Sequence, residues 1–262
     1  MKKMLSLAAI AVTLFSCQKQ EAPAVNEPIS QDVLAAISKA GFSTEGVIRE
    51  EGGYVVEGDI FIDDNHLRTQ PQWGTLSVPN AEQYRTTNLV TGLPRVITVS
   101  VNSKLPAAYR GNNGYVAQAL ARYNAEGLLL TFTLVNSGGN IDIVNANGSY
   151  LASAGFPTST GSPYNQVKVN TRSLNGQPAH TIVSVLAHEL GHCIGFRHTD
   201  YMDRSYSCGG SATNEGASSV GAVLIPGTPD GPDPNSFMLS CIGSQMDRPF
   251  NANDKTALKY LY

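Results

Sequence analysis

Residues 181–200 read TIVSVLAHELGHCIGFRHTD, a stretch built around the pattern HExxHxxGxxH. His188 and His192 are four residues apart, so a helix would bring both to one face, where they could bind one metal ion. Glu189 would project about 100° around the helix axis from His188, which suits holding a metal-bound water rather than the metal itself. The pattern therefore predicts a helix that carries a metal site.

The second half of the pattern supplies a third nitrogen. Gly195 can adopt positive φ and end the helix, so that the chain turns back and His198 reaches the same ion. Three neutral imidazoles leave zinc one open position for water, which a catalytic site requires. Ordinary helical histidines are the alternative, but background composition gives a chance match of about one in 10^5. Three of the five histidines in the chain fall in the pattern, which favours one catalytic zinc ion.

The extended pattern resembles that of the metzincin metalloproteases. A closer resemblance is to the bacterial dual-action HEIGH metallopeptidases, in HELGHCIGFRHTD, in the YMDRSYSC that follows and in the final NDKTALKYLY. This likeness covers roughly residues 94–262. It implies that His188, His192 and His198 bind zinc and that Glu189 is the catalytic base. The implied activity is zinc-dependent endopeptidase cleavage of peptide or protein substrates by a zinc-bound water that Glu189 activates.

The same resemblance implies a Met-turn, a methionine packed beneath the zinc-binding histidines. Met238, at the end of NSFM, fits by its Ser-x-Met form and its distance downstream, and Met246 is the alternative. Several metzincin families place a tyrosine two residues beyond this methionine, where the chain has Ser240. Whether Tyr201, Tyr206 or no tyrosine stabilises the transition state stays open.

The N-terminus has the layout of an export signal. Two lysines precede an apolar run at 4–15, which is shorter than the about 20 residues that span a bilayer. Residues 14–17, LFSC, resemble a bacterial lipobox, which implies removal of a signal peptide, 1–16, and lipidation of Cys17. Residues 17–28 would then be a tether. We expect a bacterial extracytoplasmic lipoprotein of the outer membrane, attached only through this lipid; a plain signal peptide with an incidental cysteine is the alternative.

The remaining chain divides into two predicted regions, 29–92 and 93–262. In the first, a helix at 29–40, with Ser30 as its cap and Gly41 as its stop, precedes a hairpin of strands at 47–49 and 54–62. The second has the pattern of an α+β domain, and the resemblance implies a metzincin-like zincin domain with a twisted sheet, active-site helix, Met-turn and C-terminal helix. Its predicted strands are 95–101, 128–135, 141–146 and 166–170, the last as an edge strand. Its predicted helices are 113–126, 178–193 and 251–262, and Asn251 and Asp254 have the spacing of a capping box at the start of the last helix.

The first region contains a motif that would regulate the metal site. Residues 56–60, VEGDI, resemble the aspartate-switch motif of astacin prosegments, Phe-x-Gly-Asp, with Val56 in place of the phenylalanine. A carboxylate is a good zinc ligand, so Asp59 could displace the catalytic water and keep the protein latent. The region 29–92 would then be a prosegment. A strand that ends in Gly-Asp is the alternative.

Three cysteines remain if Cys17 is lipidated, which allows one disulfide and one free thiol in an oxidising compartment. Cys208 and Cys241 lie in irregular sequence, which favours a bridge between them among the three pairings. Cys193 falls inside a predicted helix and is expected to pack as a small apolar residue.

Two further features have two interpretations each. Asp200, two residues beyond the third histidine, could accept a hydrogen bond from a histidine or lie in an exposed turn. The apolar run at 220–225, VGAVLI, could wall a substrate pocket or simply pack against the domain.

The composition excludes one class of partner. The formal net charge is -3 and 15% of residues are charged, which gives no basic footprint for nucleic acid. Two other functions compete with a peptidase: a catalytically inactive zinc-fold lipoprotein that binds a partner, and a zinc amidase acting on cell-wall peptides. The sequence does not decide whether calcium sites are present.

Overall fold

The computed structural model describes residues 28–68, 83–216, 221–229 and 231–262. The predicted signal peptide, Cys17 and the predicted tether up to residue 27 lie outside these ranges. Within them the chain mixes helices and sheets, which agrees with the predicted α+β class. No helix in the described ranges combines the length and apolarity that crossing a membrane requires.

The first part of the described chain is a small unit with its own apolar cluster around Ile37, Phe42 and Ile60. The Ser30 hydroxyl caps its first helix by accepting a hydrogen bond from the Val33 amide, as the sequence predicts. The elements are α1 (Gln31–Lys39), β1 (Ile48–Glu50), β2 (Gly53–Val56), β3 (Ile60–Asp63) and α2 (Asp64–Arg68), and the three strands pair antiparallel in chain order.

The prediction of one strand at 54–62 is wrong, because the chain turns in its middle. Glu57 and Gly58 both have left-handed φ, 55° and 92°, so that β2 and β3 lie antiparallel to each other. Strand alternation does not reveal such a turn, since a non-glycine residue rarely adopts positive φ. The turn places Asp59 at the tip of the hairpin, directly before β3.

The main core lies against a second sheet. This sheet consists of β5 (Arg95–Val101), β6 (Leu130–Val135), β7 (Ile141–Asn145), β8 (Ala152–Ser153) and β9 (Gln166–Val169). A short separate strand, β4 (Tyr84–Arg85), precedes it in the chain. The order is β6-β5-β7-β9-β8, with β8 antiparallel at one edge and the other four parallel. The prediction that 166–170 is an edge strand is wrong, because β9 pairs with β7 and with β8.

Two helices pack together beside this sheet, α3 (Tyr115–Asn124) and α4 (Ala179–Ile194), close to their predicted bounds. The Tyr123 hydroxyl of α3 donates to the Ala187 carbonyl of α4 at 2.6 Å. Gly195 ends α4 with φ of 110°, the left-handed cap that the sequence predicts. Every α4 side chain from Thr181 onward is buried, which fixes the helix firmly under the site.

The C-terminal part contains α5 (Ser205–Cys208), β10 (Val223–Leu224) and α6 (Ala252–Leu261). Asn251 and Asp254 form the predicted capping box at the start of α6. Part of the run at 220–225 packs against the domain, since β10 pairs with β4 and Ala222 and Ile225 are buried. Its first residue, Val220, lies outside the described ranges.

The structure joins Cys208 and Cys241 in a disulfide and leaves Cys193 as a buried free thiol.

The boundary near residue 92 stays a prediction. The Tyr84 carbonyl accepts a hydrogen bond from the Arg197 amide at 2.9 Å, so β4 lies directly beside the histidine motif.

Candidate metal centre

The three motif histidines converge on one point. His188 and His192 occupy successive turns of α4, and the turn at Gly195 returns the chain so that His198 faces them. The Nε2 atoms of His192 and His198 are 3.2 Å apart. One ligand atom from each histidine and one from Asp59 all lie within 4.8 Å of one another, a spacing that could hold one metal ion.

Each histidine is held in place through its other ring nitrogen. Nδ1 of His188 donates to the Phe237 carbonyl at 2.8 Å, and Nδ1 of His192 donates to the Phe196 carbonyl at 2.8 Å. Nδ1 of His198 donates to the Glu215 carboxylate, at 2.9 and 3.0 Å to its two oxygens. Because the proton is fixed on Nδ1, the Nε2 lone pair of each ring is free to bind a metal.

Glu215 is a residue of this centre that the sequence analysis did not single out. It lies in a loop 17 residues beyond His198, and no local pattern distinguishes it from other loop acids. Neither interpretation of Asp200 is right, because this aspartate is buried and its hydrogen-bond partners among the described residues include no histidine. Its carboxylate accepts hydrogen bonds from Ser207 and from the amide and hydroxyl of Ser240.

Asp59 of the N-terminal unit lies against the same point. Its Oδ2 is 3.3 Å from His198 Nε2 and 3.4 Å from His188 Nε2. Burial alone would raise the pKa of Asp59. The neighbouring histidines lower this pKa by more than burial raises it, so that the net pKa is far below its usual value. The carboxylate is therefore the charged partner of the histidine cluster.

The histidines themselves shift in opposite directions. Burial and the two neighbouring imidazoles hold the pKa of His192 well below its ordinary value. Burial also opposes protonation of His198, but Asp59 and Glu215 outweigh it and raise the pKa of that ring. Burial, followed by the charge of Asp59, raises the pKa of Glu189 well above its usual range.

Several buried polar atoms at this point lack a hydrogen-bond partner among the described residues: His188 Nε2, Asp59 Oδ1 and Glu189 Oε2. Buried polar groups without partners are costly and rare in folded proteins. A metal ion and a water molecule would satisfy these atoms, since three imidazole nitrogens and a carboxylate oxygen are a donor set typical of zinc. The residues present therefore fit a metal ion.

Glu189 faces the same space without joining the ligand set. Its side chain is 2% exposed, and it lines a cavity together with His188. This position agrees with the prediction that the carboxylate contacts a water molecule beside the metal. The sequence places the other acid of the cavity wall, Asp59, more than a hundred residues upstream.

Met238 lies buried beneath α4. A Cβ atom at Gly191 would come within 2.6 Å of the Met238 sulfur, so only glycine allows this close approach. The alternative, Met246, has a side chain that is 45% exposed. The two tyrosines that the sequence left open make other contacts. Tyr201 packs edge-on against Tyr84 at 4.5 Å between ring centroids, and the Tyr206 hydroxyl donates to the Pro232 carbonyl.

Two further contacts hold the hairpin tip of the N-terminal unit against the metal-site region. Glu57 is buried and pairs with Arg197, its Oε2 lying 3.2 Å from Nη2. Ala154, which directly follows the edge strand β8, makes two backbone hydrogen bonds to the start of β3. Its amide donates to the Asp59 carbonyl at 2.9 Å, and its carbonyl accepts from the Phe61 amide at 2.8 Å. Sequence reasoning found neither contact, because both join distant parts of the chain.

Residues 55–262 match the family profile of the dual-action HEIGH metallo-peptidases. Similar solved structures include two of myroilysin, each with a TM-score of 0.41: one is 16% identical and covers 67% of this chain and 96% of that chain, and the other is 14% identical and covers 73% and 99%.

A third solved structure, the GM1-bound form of the ECX AB5 holotoxin, is 17% identical, with a TM-score of 0.31 over 45% of this chain and 62% of that chain. No curated protein matches. The family profile spans well over half of the chain and includes the whole histidine motif. The chain therefore belongs to the dual-action HEIGH metallo-peptidase family.

Proposed function

We propose that this chain is a zinc-dependent endopeptidase of the metzincin type. Membership of the family implies peptide or protein substrates and a metal ion. One observation carries the proposal: three imidazole Nε2 atoms converge beside a buried Glu189 oxygen that has no partner among the described residues. His188, His192 and His198 would hold the zinc, which when bound polarises the scissile carbonyl and lowers the pKa of a water molecule.

Glu189 performs the proton transfers. Its Oε2 takes the proton from the attacking water and then passes it to the leaving nitrogen of the cleaved peptide bond. Phe237, Phe196 and Glu215 keep the three rings oriented through Nδ1, and Met238 supports α4 from below as the Met-turn residue. Ser240 takes no part in the chemistry, since its hydroxyl bonds to Asp200 and lies 3.2 Å from Glu215.

The full chain, on this proposal, is a latent form. Asp59 fills the space beside the histidines where the water and the scissile carbonyl must lie. Backbone bonds between Ala154 and the chain on both sides of Ile60 also cover the sheet edge, along which an extended peptide would otherwise pair. Glu57, bound to Arg197, holds the hairpin tip in this place. Region 29–92 is therefore proposed to act as a prosegment.

The cellular location remains a proposal from the sequence. The lipobox-like end at Cys17 supports a lipid-anchored protein on the outer membrane, with the peptidase on a tether outside the cytoplasm. A disulfide between Cys208 and Cys241 fits an oxidising compartment.

The test is metal analysis and a peptide-library digest, read by mass spectrometry, of the full chain carrying Asp59→Ala, with Glu189→Gln in the same background beside it, because the wild-type full chain is proposed to be latent. Glu189→Gln is expected to keep zinc and fold and to lose about 10^2–10^4-fold in rate or more, because the general base is removed. His192→Ala is expected to lose the metal instead. Glu51→Gln, the same change at an exposed site, is the matched control.

An unimpaired Glu189→Gln protein would refute the mechanism. A zinc-loaded protein that cleaves no peptide, even with Asp59 replaced, would favour the partner-binding lipoprotein. Cleavage confined to cell-wall peptides would favour the amidase.

A further inference from the structure

A cavity of about 260 Å³ opens beside the histidines. One wall is α4, which contributes Val185, His188 and Glu189. The opposite wall is the chain that follows Met238, including Leu239 and Ile242. The cavity is large enough for one side chain of a bound peptide, and it shares His188 and Glu189 with the metal centre. A side chain in it would therefore belong to a residue next to the scissile bond.

The side of the scissile bond follows from the lining residues. Glu189 lines this cavity, whereas His192 and His198 do not. On the proposed function, Glu189 gives its proton to the leaving nitrogen, so this nitrogen must lie on the Glu189 side of the metal. The nitrogen belongs to the residue that follows the scissile bond. The cavity consequently receives the side chain of that residue.

Arg248 gives the cavity a buried positive charge. Its side chain is 8% exposed and lines the cavity. One nitrogen, Nη1, donates to the Cys241 carbonyl at 2.8 Å, and Nε has no hydrogen-bond partner among the described residues. No carboxylate of the described chain forms an ion pair with it; Asp200 and Asp254 attract it only from a greater distance.

The other charged groups of the wall are already accounted for. Arg204 has a buried carboxylate partner, Glu215, which lies 3.1 Å from its Nε. Asp59 belongs to the proposed prosegment, and Glu189 is the proposed base. Because an arginine stays charged and an unpaired buried charge is costly, Arg248 is the cation in this wall that lacks a carboxylate partner.

We propose that Arg248 selects substrates with an aspartate or glutamate directly after the scissile bond. The substrate carboxylate would enter the cavity and pair with the guanidinium, whose charge has no carboxylate partner among the described residues. Arg248 is thus a specificity-determining residue, and the preferred substrate class is peptides with an acidic residue at this position. This inference rests on the proposed function.

The test uses the full chain, both wild type and Asp59→Ala, so that it does not depend on the latency proposal. A peptide-library digest first gives the best-cleaved sequence. Five versions of that peptide then carry Asp, Glu, Asn, Ala or Lys after the scissile bond, and kcat/KM is measured for each. We expect the acidic versions to exceed the Asn and Ala versions by about tenfold or more, as expected for a hydrogen bond to a buried charge.

Three variants assign the preference to this residue. Arg248→Met is expected to reduce the ratio of acidic to Ala rates to about one, and Arg248→Lys to retain part of it because the charge remains. Arg110→Met, which removes an exposed arginine outside the cavity, is expected to keep the full ratio. If Arg248→Met does not fold, the Arg248→Lys and wild-type profiles decide.

Two results overturn the inference in different ways. Cleavage by wild type with equal or lower rates for the acidic peptides refutes the role of Arg248 and leaves the peptidase function intact. The same holds for an acidic preference that Arg248→Met keeps in full. A metal-loaded chain that cleaves none of the library refutes the proposed function, and the inference with it.

Discussion

Asp59→Ala in the full chain tests latency most directly. The carboxylate lies 3.3 and 3.4 Å from two histidine nitrogens and is buried with them. Removing one partner from a buried charged pair typically costs about 3–5 kcal/mol, which corresponds to about 150- to 5,000-fold in the ratio of closed to open forms. The Glu57–Arg197 pair and the backbone bonds to Ala154 remain, so we expect the lower end of this range.

The expected result is a rise of about 150-fold in the initial rate toward a short peptide, without trimming of the chain. A folded protein substrate should gain less, because the hairpin still covers the sheet edge. The assay compares wild type, Asp59→Ala, Asp59→Asn and Asp32→Ala. Asp32 is an exposed aspartate of the same unit and serves as the matched control.

Intact mass and zinc content are measured for each sample after the assay. These two measurements separate release of the active site from self-cleavage and from loss of the metal. Wild-type protein of intact mass that is as active as Asp59→Ala would refute the reasoning. The N-terminal unit would then be a spacer or docking module between membrane and peptidase.

Three further predictions concern the supports of the site. Glu215→Gln is expected to weaken zinc binding about 10- to 100-fold, measured by competition with a chromophoric chelator, because His198 loses its charged acceptor; unchanged affinity would contradict this. The Cys208–Cys241 disulfide closes a loop with a sequence separation of 33, so Cys208→Ser with Cys241→Ser should lower the free energy of unfolding by about 3–4 kcal/mol in urea titrations; a loss below about 1 kcal/mol would show that the bridge adds little. Cys17→Ser should release the protein from the membrane fraction or leave it unprocessed, and an unmodified mature N-terminus at or beyond Cys17 in wild-type protein would contradict lipidation.

The local features of the site could be predicted because each depends on neighbours in sequence. The four-residue spacing of His188 and His192 needs only one helix, and the left-handed cap at Gly195 needs only the residue that adopts it most easily. The capping box at Asn251 follows the same logic, since its two partners are three residues apart. Such features are encoded within one or two helical turns.

The non-local features could not be predicted, because their partners meet only in the folded chain. Glu215 reaches His198 across a loop that carries no periodic pattern. The edge strand β8 has only two residues, which is too short for alternation to appear. Arg248 follows an aspartate in an irregular stretch and gains its meaning only from the cavity that it lines.

The turn at Glu57 and Gly58 explains why the proposed latch has two carboxylates rather than one. Residues 57 and 59 flank Gly58, and their side chains reach the adjacent residues Arg197 and His198. A Cβ at Gly58 would lie 2.9 Å from an Arg204 nitrogen, so the hairpin tip fits closely against the wall. If the tip leaves, Arg197 retains only Glu215, at 3.7 Å, as a carboxylate partner among the described residues.

The two contacts are therefore coupled. Withdrawal of Asp59 from the histidines moves Glu57 as well, and that strips a fully buried arginine of its nearer partner. Leaving such a charge without a good partner is strongly unfavourable, so partial opening is disfavoured. If the N-terminal part of the chain is removed only up to a residue before Glu57, the contacts of Glu57 and Asp59 both remain. If it is removed through Asp59, both contacts are lost. The geometry thus favours activation in one step, in which the whole hairpin tip departs.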